Sequence, residues 1–199
     1  MATASTLRSP VSIGSDQKEP PAANVLVTFA SKHGSTAEVG KRIALALVEA
    51  GVQAEALPVD QVGDIAGYDA FVIGSSVYFG QWMRDAVRFV DQNRARFAKS
   101  SVWLFSVGPL GDQARTDPAE VAGLAASVNA NGHHLFAGAL DLHKLTFPER
   151  LIAKGVKAPT GDFRDWNEID SWSATIASNL CDRQNLRRMQ SARREPPQI

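Results

Sequence analysis

Between an apolar run and a helical pattern the chain sets Ser31-Lys32-His33-Gly34-Ser35-Thr36. Three hydroxyls and a glycine at the start of a helix suit an anion. The first amide N–H groups of a helix lack internal partners, and its macrodipole is positive at that end. Gly34 lets the backbone curl close to a phosphate, and Ser31, Ser35 and Thr36 add hydroxyl donors, so the loop fits one phosphate. A plainer role stays open, because Ser35 can serve as the N-cap and any strand-to-helix junction needs a turn. A Walker loop carries its lysine directly before Ser/Thr and after a glycine, and Lys32 is misplaced for that. A dinucleotide fingerprint needs G-x-G-x-x-G, whereas Gly34 is followed only by Gly40. The pattern suits the terminal phosphate of a mononucleotide.

Two more loops follow apolar runs. The first, "GSSVYFGQW", offers Ser76, Val77, Tyr78, Phe79 and Gly80; the second, "SVGPLGD", offers Ser106, Val107, Gly108, Pro109, Leu110, Gly111 and Asp112. Small residues leave backbone N–H groups open to a ligand, and an aromatic face gives a flat ring a broad contact. Tyr78 is the better candidate for such contact, whereas Trp82 reads as core under the following helix. His33 and Asp112 stand on the same edge, each with a duller role in solvent or in a turn, and no residue is assigned to catalysis. His133 and His134 are neighbours in a strand and point to opposite faces, so they cannot chelate one ion, and no metal site is assigned. Trp166 and Trp172 read as packing for the last helix.

The elements that must position these loops alternate. Val25 to Phe29 is a short β-rich run. A helix then opens at Ser35 with Val39, Ile43, Leu47 and Ala50 near the 3.6 period; Ser35-Thr-Ala-Glu38 has the form of a capping box, and Gly51 supplies the stop. "VQAEALPV" alternates as a half-buried strand, while "DAFVIGSSV" and "SVWLFSV" read as strands covered on both faces. Between these last two lies a helix with Met83, Val87 and Val90 on one side. Asp117-Pro118-Ala-Glu120 starts another helix, which ends near Asn131-Gly132. "HHLFAGAL" is a fifth strand. Asp165-Trp-Asn-Glu168 caps a last helix whose Ile169, Trp172, Ile176 and Leu180 face inward. This alternation implies an α/β fold, a three-layer αβα sandwich around a five-stranded parallel sheet of order 2-1-3-4-5. Ligands of such sheets sit beyond the carboxyl ends of the strands, where all three loops lie.

The 199 residues suffice for one domain. Residues 1–22 read as a Ser/Pro/Ala-rich disordered leader, 23–182 as the domain and 183–199 as a basic tail. Lys plus Arg equals Asp plus Glu at 21 each, which argues against a general nucleic-acid field. The single cysteine, Cys181, cannot form an internal disulfide, and no apolar run reaches the roughly 18 residues of a membrane span, which fits a cytoplasmic protein. The tail, with Arg183, Arg187, Arg188, Arg193 and Arg194, suits a solvated helix end; a weak peripheral contact with anionic lipid at the inner membrane face is the sharper alternative.

The segments "VLVTFASKHGSTAEVGKRIALAL", "YDAFVIGSSVYFGQW" and "VWLFSVGPLGD" together resemble flavodoxin-like proteins, in particular the branch of menaquinone-dependent protoporphyrinogen dehydrogenases and their flavodoxin-domain relatives. The resemblance spans about residues 24 to 180. It implies FMN, with the phosphate against Ser31 through Thr36 and the isoalloxazine between the Ser76-to-Gly80 and Ser106-to-Asp112 loops; a deazaflavin is a variant on the ring. The usual flavodoxin phosphate loop is T-x-T-G-x-T, of which this chain keeps the glycine and the final threonine. The implied activity is an FMN-dependent oxidoreductase acting on a small redox substrate or a quinone. The alternative is an electron carrier serving a partner protein; carriers of this family are strongly acidic, and this chain is neutral.

Overall fold

The computed structural model describes residues 23–78, 80–108, 119–141, 143, 146–147, 150 and 160–192. The elements run β1 (Asn24–Ala30), α1 (Ser35–Glu49), β2 (Gln53–Pro58), β3 (Ala70–Tyr78), β4 (Gln81–Trp82), α2 (Arg84–Phe97), β5 (Ser101–Val107), α3 (Ala119–Ser127), β6 (Gly132–Phe136), β7 (Ala139–Leu140), β8 (Gly161–Asp162) and α4 (Trp166–Ala192). The main sheet has the order β2-β1-β3-β5-β6, all parallel, with β4 folded back antiparallel on the end of β3. Setting aside the short return strand β4, this is the order 2-1-3-4-5 that the alternation implies.

Each central strand is apolar on both faces because helices cover both. Val25, Val27 and Phe29 of β1 join Val72, Phe105, Phe136 and the inner faces of α1 and α4 in one core, with Ile43, Leu47, Ile169, Ile176 and Leu180. Leu26 and Ala30 point the other way, to Ile73, Leu104, Phe89, Val90, Phe97 and Leu124 under α2 and α3. The period of two along β1 thus divides the core into two layers. Trp172 packs into the first layer with ring contacts to Phe105, Phe136 and His134. Trp166, by contrast, is partly exposed and lies under the Arg164 guanidinium, 4.5 Å from its centroid.

Several local expectations are corrected. The N-cap of α1 is Gly34 rather than Ser35, with φ 95 and ψ −21 and no side-chain cap bond; glycine adopts this left-handed geometry without the Cβ penalty. The capping box therefore does not form. At the other end Gly51 acts as expected: at φ 84, its N–H donates to Val48 O at 3.0 Å while Val52 N–H donates to Leu47 O at 3.0 Å, a Schellman closure. Met83 precedes α2 as its N-cap, and packs with Val87 and Val90 against the core layer under α2 as expected. The fifth main strand stops at Phe136, and Ala139–Leu140 turns away to pair antiparallel with Gly161–Asp162. Asp117 and Pro118 lie outside the described residues, as do the leader 1–22 and residues 193–199. α4 continues through the arginine-rich stretch to Ala192, and Arg183 Nη1 donates to Ser101 Oγ at 3.0 Å.

One close approach fixes the sheet centre. A Cβ added to Gly74 would lie 2.0 Å from Phe105 Cζ, inside the ring of a fully buried side chain. Gly74→Ala is expected to lower unfolding free energy by about 1–3 kcal/mol through overpacking, read as a lower urea midpoint. An unchanged midpoint contradicts this packing.

Candidate functional site

Parallel pairing brings the three loops to one edge. Ala30 pairs with Ser75, Ser75 with Ser106, and Ser76 with Val107, so β1, β3 and β5 end side by side. Beyond Ala30 the backbone curls: Gly34 N–H donates to Ser31 Oγ at 3.2 Å, and Glu38 N–H to Gly34 O at 2.9 Å. The amides of Ser35, Thr36 and Ala37 lie in the first turn, with no helical carbonyl to receive them.

The hydroxyls of this loop also tie it to its surroundings. Thr36 is buried, and its Oγ1 shares a 2.8 Å hydrogen bond with Ser76 Oγ at the end of β3. Ser76 Oγ reaches Ala30 O at 3.4 Å. Ser35 Oγ accepts the Ala139 N–H at 3.0 Å, attaching the β7 segment to the start of α1. The exposed rim of the same edge is aromatic and basic: His33 and Tyr78 meet edge-on with centroids 6.4 Å apart, and Lys32 Nζ lies 5.8 Å from the Tyr78 centroid. Tyr78 is 38% exposed.

The other candidates fall into two groups. Gly80 forms the β3–β4 turn at φ 74, and Gly108 leaves β5 at φ 130 with its N–H on Phe136 O at 3.0 Å. A Cβ on Gly108 would stand 3.5 Å from Val77, so the chain leaving β5 at Gly108 lies directly against the end of β3. Val107 and the side chain of Ser106, by contrast, point into the protein. Ser106 Oγ accepts Trp82 Nε1–H at 2.7 Å and lies 2.9 Å from His133 Nε2. Trp82 is thus core, as the sequence suggests, and its backbone N–H donates to Glu120 Oε2 at 3.1 Å. Phe79, Pro109, Leu110, Gly111 and Asp112 lie outside the described residues. His133 and His134 do face opposite layers: His134 Nε2 sits 3.0 Å from Glu168 Oε1, beside Phe136 and Trp172.

Arg164 was invisible to local sequence patterns. It lies at the start of α4's approach, with its side chain only 8% exposed, and donates from Nη1 to Glu38 Oε2 at 2.6 Å and from Nε and Nη2 to Asp162 at 2.8 and 2.6 Å. These bonds raise the Arg164 pKa above its ordinary value, the bond to Asp162 first, and hold the Asp162 carboxyl below the usual range. Arg164, Asp162, Gly161, Thr160, Ala139, Leu140, Asp141 and His143 line a groove of about 500 Å³ beside the β1–α1 loop. Among the described residues no cluster of three metal-ligating side chains occurs, and no helix is long and apolar enough to cross a membrane.

Comparison with known proteins gives a consistent picture. The model of the flavodoxin domain family matches residues 26–167. Protoporphyrinogen IX dehydrogenase [quinone] of Escherichia coli strain K12 is 22% identical over 179 residues, covering 81% of this chain and 98% of that protein. Among solved structures, a flavodoxin from the domain Archaea superposes with a TM-score of 0.55 at 15% identity over 79% of this chain and 98% of that one. Rubredoxin oxygen:oxidoreductase from the anaerobe Desulfovibrio gigas gives 0.58 at 11% identity, over 81% of this chain and 37% of that one.

The buried Trp82–Ser106 bond makes a direct test of how the second and third loops are held. Ser106→Ala leaves a buried indole N–H without its acceptor, an expected cost of about 1–3 kcal/mol in urea unfolding followed by tryptophan fluorescence. Wild-type stability in that variant contradicts the assignment.

Proposed function

The chain belongs to the flavodoxin domain family, and from that premise we propose that it is an FMN-dependent oxidoreductase that passes electrons to a quinone. The observation carrying this reading is the β1–α1 junction. Left-handed Gly34, three hydroxyls and the first-turn amides of a 15-residue helix converge where the ends of β3 and β5 also open. This donor set fits a phosphate: it is uncharged or cationic at the loop, directional, and aligned with the positive end of the helix.

In this reading Ser31, Gly34, Ser35 and Thr36 hold the phosphate, with Lys32 and His33 beside it on the rim. The Tyr78 face and the backbone at Gly80 and Gly108 flank the flavin ring, together with Phe79 and Pro109 to Asp112. Ser76, Val77, Ser106 and Val107 support from beneath, since their side chains bond or pack inward. FMN, when bound there, would supply the redox chemistry between a reduced substrate and the acceptor. The protein binds, orients and shields.

The quinone is supported by the likeness to a relative whose name carries it. Electrostatics favours an enzyme over a carrier: carriers dock through fields of one sign, whereas this chain has 21 charges of each sign. A porphyrinogen is the substrate that the same likeness suggests, and the inner face of the membrane is where a quinone would be met.

Two measurements test the reading. Gly34→Asp places a carboxylate at the phosphate, and Gly34→Asn carries the same backbone strain at φ 95 without the charge; FMN affinity of the aspartate variant should lie at least about thirtyfold below that of the asparagine variant. Equal affinity in the two variants contradicts the phosphate assignment. Anaerobically reduced holoprotein should be reoxidised rapidly by a menaquinone analogue; slow reaction with every quinone, beside fast transfer to a redox protein, would establish a carrier instead.

A further inference from the structure

A first-turn carboxylate is the natural internal anion for the positive end of its helix, and in α1 that residue is Glu38. Its Oε1 reaches back to within 3.9 Å of the point where a Cβ on Gly34 would stand. The protein therefore carries a carboxylate at the rim of its own phosphate loop. A carboxylate and a phosphate so placed repel one another and compete for the same amides.

The other oxygen of that carboxylate is held from outside. Arg164 Nη1 donates to Glu38 Oε2 at 2.6 Å, across 126 residues of sequence. The guanidinium is itself fixed: Nε and Nη2 grip Asp162, the Arg164 N–H donates to Asp162 Oδ1 at 3.1 Å, and Trp166 lies beneath it. All of its donating nitrogens thus face carboxylates. Resting on the phosphate reading above, we propose that Arg164 is a positioning residue for cofactor binding: it offsets the charge of Glu38 and holds its carboxylate at the rim by Oε2, leaving the first-turn amides to the phosphate. Without Arg164 the net charge beside that cradle falls by one unit, and Glu38 loses the bond that fixes its Oε2.

Riboflavin, which shares the ring and side chain of FMN but lacks the phosphate, separates this role from a structural one. The dissociation constants of both flavins are measured by fluorescence quenching for the full-length wild type, Arg164→Ala, Arg164→Gln, Glu38→Gln and the double variant Arg164→Ala/Glu38→Gln. Removing the arginine is expected to weaken FMN about tenfold, the scale of an uncompensated like charge nearby, and to change riboflavin less than about twofold. Arg164→Gln, which keeps a polar but shorter and uncharged side chain, should behave as Arg164→Ala does. Glu38→Gln should restore FMN binding in the double variant. Equal losses for both flavins, unchanged FMN affinity without the arginine, or no restoration by Glu38→Gln each overturn the proposal. A wild type that binds FMN no better than riboflavin overturns the phosphate reading itself, and the proposal with it.

Discussion

The hydrogen bond between Thr36 and Ser76 joins the two halves of the candidate site, and the parallel register of β1 with β3 makes it possible. Thr36 belongs to the first turn of α1 and Ser76 to the end of β3, forty residues on. Their side chains meet because Ala30 and Ser75 pair at the same edge. A slip of one residue would turn every β3 side chain to the opposite layer, sending Ser76 away from α1 and Val77 into its place. The core enforces the register, since Phe71 and Ile73 fill one layer while Val72 fills the other. The hydrophobic pattern of the strands thereby sets the position of a hydroxyl that no pattern of the loop itself would fix.

The same edge balances charge in a consistent way. The first-turn amides and Lys32 make the loop electropositive, while Glu38 in the same first turn is held at its Oε2 by the guanidinium of Arg164. The β7–β8 ribbon contributes at both points: Ala139 binds Ser35, and Asp162 immobilises Arg164. The β7–β8 ribbon is therefore tied to the start of α1.

Much of this was legible in the residues. The doubly apolar runs of β3 and β5, the 3.6 period of α1 and the stop at Gly51 specify the layers and their order, because each is a local pattern answering to burial or backbone geometry. The turn at Ser31 to Gly34 between β1 and α1 is legible for the same reason. The expectation of Ser35 as the cap of α1 failed because glycine also serves at that position, and the choice falls to the curl that places Gly34 N–H on Ser31. The break after Phe136 was hidden because "FAGAL" is apolar enough for a strand, and only its pairing with Gly161–Asp162 diverts it. Arg164 was missed because its importance lies in Glu38, a partner brought near only by the packing of α1 beside the last helix. Ser106 read as a loop residue, yet its side chain answers to the indole of Trp82 and to His133 from a neighbouring strand.

The central claim is that the start of α1 holds the phosphate of a flavin mononucleotide. A crystal structure of the protein with FMN tests it most directly. The account predicts phosphate oxygens within hydrogen-bonding distance of the Ser35, Thr36 and Ala37 amides and the loop hydroxyls, with Glu38 still on Arg164. FMN bound with its phosphate elsewhere, or a cradle filled by the Glu38 carboxylate while the nucleotide is present in excess, would contradict it.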